Sequence, residues 1–288
     1  MALKISPKKQ LLLFFCWLAV FFFITLVISA VLVMTQGETT TTTLLATICQ
    51  DLFIFILPVV VTLIMVGKKP LEYVWLNERT TLGVMLLTIV LVVVQFPAMN
   101  AIIKLNTLIP LPEWMASNEE ITEKAIERMF GDYSSTYFMI GIIVVGFLAA
   151  FSEEFLFRGF LTRMLSTRFG AHATIWIVAA IFSFVHFQFA GFVPRMLLGA
   201  LFGYMALWSG TLWTAVLAHF VNNTLAICGM FLTHKNGFSE LNDLGAGLSV
   251  IDVCAVVVSV AAFVVLIHYY RRLALRSNRA YAGDVTNG

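Results

Sequence analysis

Eight stretches of this chain stay apolar for about as long as a helix needs to cross a bilayer, roughly 20 residues at 1.5 Å each. They are residues 11–34, 45–66, 80–103, 136–157, 173–190, 192–208, 211–232 and 249–270. In hydrocarbon, backbone N–H and C=O groups must find their partners inside the protein, so segments of this kind fold as helices. The expected fold is all-α: a polytopic integral membrane helical bundle of about eight transmembrane helices. Composition agrees, at 60% hydrophobic and 12% charged, where a soluble domain stands near half apolar and about a quarter charged.

Eight crossings place both termini on one side, and the basic residues say which. One side collects Lys4, Lys8, Lys9, Lys68, Lys69, Arg79, Arg158, Arg163, Arg168, Arg271, Arg272, Arg276 and Arg279, and the other only Lys104, Lys124, Arg128, Arg195 and Lys235. Lys and Arg favour the cytoplasmic loops, so both termini are expected in the cytoplasm. The acidic loop 105–135 then lies outside, with the pattern of a short amphipathic surface helix. The threonine run 39–43 reads as a solvated turn. Cys16, Cys49, Cys228 and Cys254 lie in or beside spans without a CxxC pair, which points to neither a disulfide framework nor a cysteine-rich zinc site. The first apolar run is longer than the 7–15 residues of a signal-peptide core, which favours an uncleaved anchor.

Ionisable groups are costly at bilayer depth and are usually functional there. Here they concentrate in residues 136–230, as Glu153, Glu154, Arg158, His186 and His219, with Asn222 and Asn223 nearby. Glu154 and Arg158 are four apart and share a helix face. Glu153 is turned about 100° away and is free to face a cavity as a general base or acid. Phe182 stands one turn before His186 and is placed to wall the same pocket, while Asn222 and Asn223 follow His219 on its own face. Each taken alone has a plainer reading: an interfacial charge cluster, a packing histidine, interhelical polar glue. Depth does not match at once. At 1.5 Å per residue, His186 lies about 20 Å from the cytoplasmic end of its span, His219 about 12 Å and Glu153 about 7 Å. Helix tilt, or a fourth helix running on to Arg168, would level them. Asp51, near the outer end of the second span, Asp252 and His268 read as interfacial, and His172 and His234 as solvated loop residues.

Three motifs now stand in order: Glu153-Glu154-x-x-x-Arg158, Phe182-x-x-x-His186 and His219-x-x-x-Asn223. Together with Gly199-Ala-Leu-Phe-Gly203 and Ser209 through Trp213, they resemble the CPBP family, the CAAX prenyl endopeptidases and bacteriocin-processing (Abi) membrane proteins. The resemblance covers about 136–230. It implies an intramembrane endopeptidase open to the cytoplasm, in which Glu153 activates water, His186 orients it, His219 and Asn223 hold the oxyanion, and Arg158 with Glu154 is architectural. A zinc version would use Glu153, His186 and His219 as a His₂Glu set, although no HExxH helix is present. The cofactor expectation is none or one zinc ion, leaning to none because Asn223 has a task only in the metal-free scheme.

The expected organisation is a transmembrane scaffold over 1–135, a CPBP/Abi-like catalytic core over 136–232, and a final span with a basic tail over 233–288. Expected partners are the lipid bilayer and a membrane-embedded or membrane-associated peptide or protein substrate. Nucleic acid is not expected, since the basic residues are sparse and juxtamembrane, and the oligomeric state is left open. The compact chain suggests a bacterial plasma membrane. Rival readings are a catalytically idle membrane adaptor or immunity-type protein, and a proton-coupled transporter, for which no internal repeat is seen.

Overall fold

A computed structural model describes residues 6–131, 133–236 and 250–286, with side chains described except at 107, 233–236 and 279–286. Lys4 and Asp132, and the side chains of His234, Lys235 and Arg279, lie outside the described residues. The order is α1 (Pro7–Gln36), α2 (Thr40–Met65), α3 (Pro70–Tyr73), α4 (Leu82–Thr107), α5 (Glu113–Met129), α6 (Ser135–Ser166), α7 (Ala171–Phe184), α8 (Phe192–Ser209), α9 (Trp213–Asn236) and α10 (Val250–Thr286). No strand occurs among the described residues. The protein is an integral membrane helical bundle: seven helices (α1, α2, α4, α6, α8, α9, α10) are long and apolar enough to cross a membrane.

The remaining expected span is the short one. α7 has 14 residues, about 21 Å of helix, and the chain then leaves the helix over 185–188 and makes a 3₁₀ turn, Phe189–Gly191, before α8 begins. Non-helical backbone at membrane depth survives only where protein buries it or a cavity is lined by it, and this break carries His186. Within the acidic loop 105–135, residues Glu113–Met129 form the amphipathic helix α5, as its pattern predicts.

Two local readings are corrected. The threonine run is not a turn but the start of α2. Thr39 caps it, accepting from the Thr42 N–H at 3.2 Å while its own N–H donates to Thr42 Oγ1 at 2.8 Å, a reciprocal box that satisfies two end donors. Because α2 starts at Thr40, Asp51 falls in mid-helix rather than at an interface.

Packing then centres the bundle on α6. One apolar core joins Phe14, Leu63, Val74, Phe157, Phe160 and Phe182 on its one side. A second joins Leu91, Phe202, Met205, Ala218 and Tyr270 among α4, α8, α9 and α10. The outward faces of α1, α4 and α10 keep large apolar side chains exposed, such as Phe23, Leu82 and Val265, as helices facing lipid do. α7 and α8 are drawn close by small residues. A Cβ on Gly203 would stand 3.0 Å from Ile175, and one on Gly199 2.9 Å from Arg158 Nη2 and 3.2 Å from Phe182.

Candidate active site

α6 is not a uniform α-helix. It widens to π-helix over Ile142–Leu148 and again over Phe155–Leu161, a distortion common at functional positions. Between the two lies Ala149–Glu154, which carries both glutamates. The helix continues to Ser166, which lifts Glu153 about 20 Å from its C-terminal end. That continuation removes the mismatch in depth with His186.

Glu154 and Arg158 form a fully buried ion pair, Arg158 Nη1 donating to Glu154 Oε1 at 2.7 Å. Arg158 Nη2 donates to the Gly199 carbonyl at 2.9 Å, and its guanidinium lies over the Phe182 ring, 4.4 Å from the centroid. The same Glu154 Oε1 is 2.9 Å from His219 Nδ1. A carboxylate paired with arginine has no proton to give, so Nδ1–H is the donor. His219 is therefore held with Nε2 pointing away from Glu154, its ring stacked on Phe202 and edge-on to Phe182.

His186 sits two residues past the end of α7, not within a helix as the apolar pattern suggests. Its Nδ1 is 2.7 Å from the Phe182 carbonyl. A carbonyl only accepts, so Nδ1–H donates and Nε2 is again the free atom. Both free nitrogens face one oxygen: Glu153 Oε2 is 3.8 Å from His186 Nε2 and 3.9 Å from His219 Nε2. That oxygen is buried and has no hydrogen-bond donor among the described residues. With neutral rings, three acceptors converge on one small space, an arrangement suited to a guest that donates hydrogens or accepts lone pairs.

A zinc ion is one such guest in principle. Two ligands at about 2.0–2.1 Å from a tetrahedral ion stand only about 3.3 Å apart. The 3.8 and 3.9 Å separations exceed that, and among the described residues no three His, Cys, Asp or Glu side chains gather as a metal site. As placed, these residues do not fit the ion.

Asn223 lies one turn beyond His219. Its Nδ2 donates to the Val145 carbonyl at 3.0 Å, in the first π-helical stretch, and it makes no bond to Glu153 or either histidine. Asn222 is half-buried and makes no side-chain hydrogen bond among the described residues. Phe182 is buried and touches His186, His219, Phe157 and Arg158, so it walls the pocket as its spacing predicts.

Two residues gain a place that their sequence positions did not suggest. Asp51 is 1% exposed; its Oδ1 accepts from Ser152 Oγ at 3.1 Å, and it interacts electrostatically with Glu153. Arg195, assigned from charge counting to the outer face, grips Gln188 twice, through its carbonyl at 3.1 Å and its side-chain oxygen at 2.8 Å. It also senses Glu153 and Glu119. The one signal available for Asp51 was a carboxylate inside a long apolar stretch. A cavity of about 110 Å³ lies behind the site, against Arg158, Thr162, Thr174 and Trp75, and does not reach Glu153 or the histidines.

The segment that builds this site has known relatives. Residues 135–225 match the family model described as Rce1-like, type II CAAX prenyl endopeptidase. The uncharacterized protein YpbD of Bacillus subtilis (strain 168) is 31% identical over 97 residues, 32% of this chain and 47% of the relative, so the match spans about half the length of that protein. No solved structure matches. Glu153, Glu154, Arg158, His186, His219 and Asn223 all fall inside 135–225, the residues that match that family model.

Proposed function

We propose that this protein is an intramembrane endopeptidase that hydrolyses peptide bonds of membrane-associated peptides or proteins. One observation carries the reading: within the Rce1-like segment, the donorless Glu153 Oε2 faces the free Nε2 atoms of His186 and His219 at 3.8 and 3.9 Å. Glu153 takes a proton from the attacking water, and His186 accepts the other hydrogen of that water and fixes its direction. The negative charge that forms on the carbonyl oxygen needs donors aimed at it. His219, entering the cycle with a proton from solvent on Nε2 as well as the one on Nδ1, is one, and its imidazolium is steadied by the Glu154 carboxylate behind it. Asn223 is the other, through the amide hydrogen that Val145 leaves free. Glu153 then passes that proton to the departing nitrogen, the carboxylic acid so formed gives its remaining proton to the amine, and the peptide bond is replaced by a carboxylate and an ammonium group.

Arg158 holds Glu154 in place, and Phe182 and Phe202 keep bulk water from the rings. With α7 counted as an eighth crossing, the excess of basic residues on one side supports a plasma-membrane protein with both termini cytoplasmic. The test is cleavage of a lipid-anchored peptide by purified protein in vesicles. Removing a general base typically costs about 10²–10⁴ in rate, so Glu153→Gln should fall by that factor. Full activity in Glu153→Gln would reject the assignment.

A further inference from the structure

The stretch 185–191 carries His186 and links α7 to α8 through a non-helical turn, with Phe187 in the left-handed region at φ 54°, and a short 3₁₀ turn over Phe189–Gly191. Such backbone needs partners for its exposed N–H and C=O groups. Several come from outside the Rce1-like segment. Asn106, buried at the end of α4, donates through Nδ2 to the Phe189 carbonyl at 3.2 Å and to the Ala190 carbonyl. Glu119, on the extramembrane helix α5, accepts from the Ala190 N–H at 2.8 Å. Trp114, one and a half turns earlier on α5, meets the Phe189 ring edge-on with centroids 5.6 Å apart. From the other side, Ser183 Oγ donates to the Phe192 carbonyl at 2.6 Å, and Arg195 holds Gln188.

We infer that Asn106 and Glu119 are positioning residues, a clasp from the N-terminal part of the chain that holds the 185–191 stretch so that His186 Nε2 faces Glu153. They touch neither substrate nor the reacting atoms; they act through the backbone that bears His186. The clasp tethers the site to α5, a helix outside the membrane spans, so displacement of α5 loosens His186. The role in catalysis rests on the peptidase reading above, while the clasp itself can be tested without it.

The chemistry sets a sharp contrast between variants. Glu119→Gln keeps an oxygen for the Ala190 N–H and Glu119→Ala does not. Asn106→Ala removes the donor, and so does Asn106→Asp, at nearly constant shape. In full-length protein in detergent or nanodiscs, amide exchange over 185–191 should quicken roughly fivefold or more in Glu119→Ala and Asn106→Asp, the scale of one lost hydrogen bond. It should stay near wild type in Glu119→Gln. The ¹⁵N signals of the His186 ring, assigned with His186→Asn, should shift or broaden in the same two variants only, and kcat against the lipid-anchored peptide should drop in them with KM little changed.

Unchanged exchange and an unchanged His186 signal in Glu119→Ala and Asn106→Asp would overturn the clasp. So would a Glu119→Gln variant as impaired as Glu119→Ala, since charge and not the acceptor would then be the cause. Faster exchange with full kcat would overturn the positioning role. If wild type cleaves nothing, the peptidase reading fails, and exchange with the His186 ring signal decides the clasp by itself.

Discussion

Glu154 accepts from two side chains through one oxygen, Arg158 on its own helix and His219 on α9. Removing that charge leaves a guanidinium buried with only a backbone carbonyl to hold it. Breaking one side of a buried pair typically costs about 3–5 kcal/mol. Glu154→Ala should therefore lower thermal stability by that order as well as free the His219 ring; an unchanged melting temperature would show that Arg158 finds another partner. Glu153, one residue earlier, has no such role and is 13% exposed at its side chain. Glu153→Gln should fold with near wild-type stability while losing activity, so the two neighbouring glutamates separate into a structural and a chemical residue. Comparing melting and turnover in the two variants checks the division.

At the scale of helices, two features fix the site. The first is the contact between α7 and α8, where Gly199 lends Arg158 its carbonyl and leaves no room for a side chain. Inserting groups into a packed core costs about 1–3 kcal/mol, and Gly199→Val should do so while pushing Arg158 and Phe182 out of register. Gly229 has open space where a Cβ would stand and serves as the control, since Gly229→Ala should be tolerated. The second is the start of α2. Thr39→Ala removes the reciprocal cap and should cost about 1 kcal/mol, read by unfolding in denaturant; because α2 sets the height of Asp51, fraying should also loosen its bond to Ser152. Whether a helix begins at Thr40 or Leu45 decides whether Asp51 is interfacial or buried. The apolar pattern favoured Leu45, with the threonine run as a turn, and the reciprocal Thr39–Thr42 bonds start the helix at Thr40 instead.

For the whole molecule, the helical bundle was legible because hydropathy over about 20 residues is a strong signal, and the Glu-Glu-x-x-x-Arg and His motifs were legible because ionisable groups in such stretches are rare. The pairing of Glu154 with Arg158, and the turn of Glu153 away from it, followed from helical geometry alone. What escaped were contacts between distant segments. Nothing in the local sequence says that Asp51 meets Ser152, that Asn106 and Glu119 reach Phe189 and Ala190, or that the apolar run 173–190 stops being a helix at Phe184. Asn223 shows the other limit: spacing put it on the His219 face, but the bond it makes is to the widened turn at Val145. π-Helical segments of this kind shift side chains by a fraction of a turn, and no residue pattern announces them.

The division of labour at Glu153 and the two histidines is tested most directly by reconstituting purified wild type and Glu153→Gln in vesicles, supplying a lipid-anchored peptide, and measuring cleavage alongside bound metal. Glutamate-driven hydrolysis predicts cleavage by wild type without stoichiometric zinc, and a loss of about 10²–10⁴-fold in Glu153→Gln. Equal cleavage by the two proteins, or wild-type activity that disappears with removal of one tightly bound zinc per chain, would contradict it.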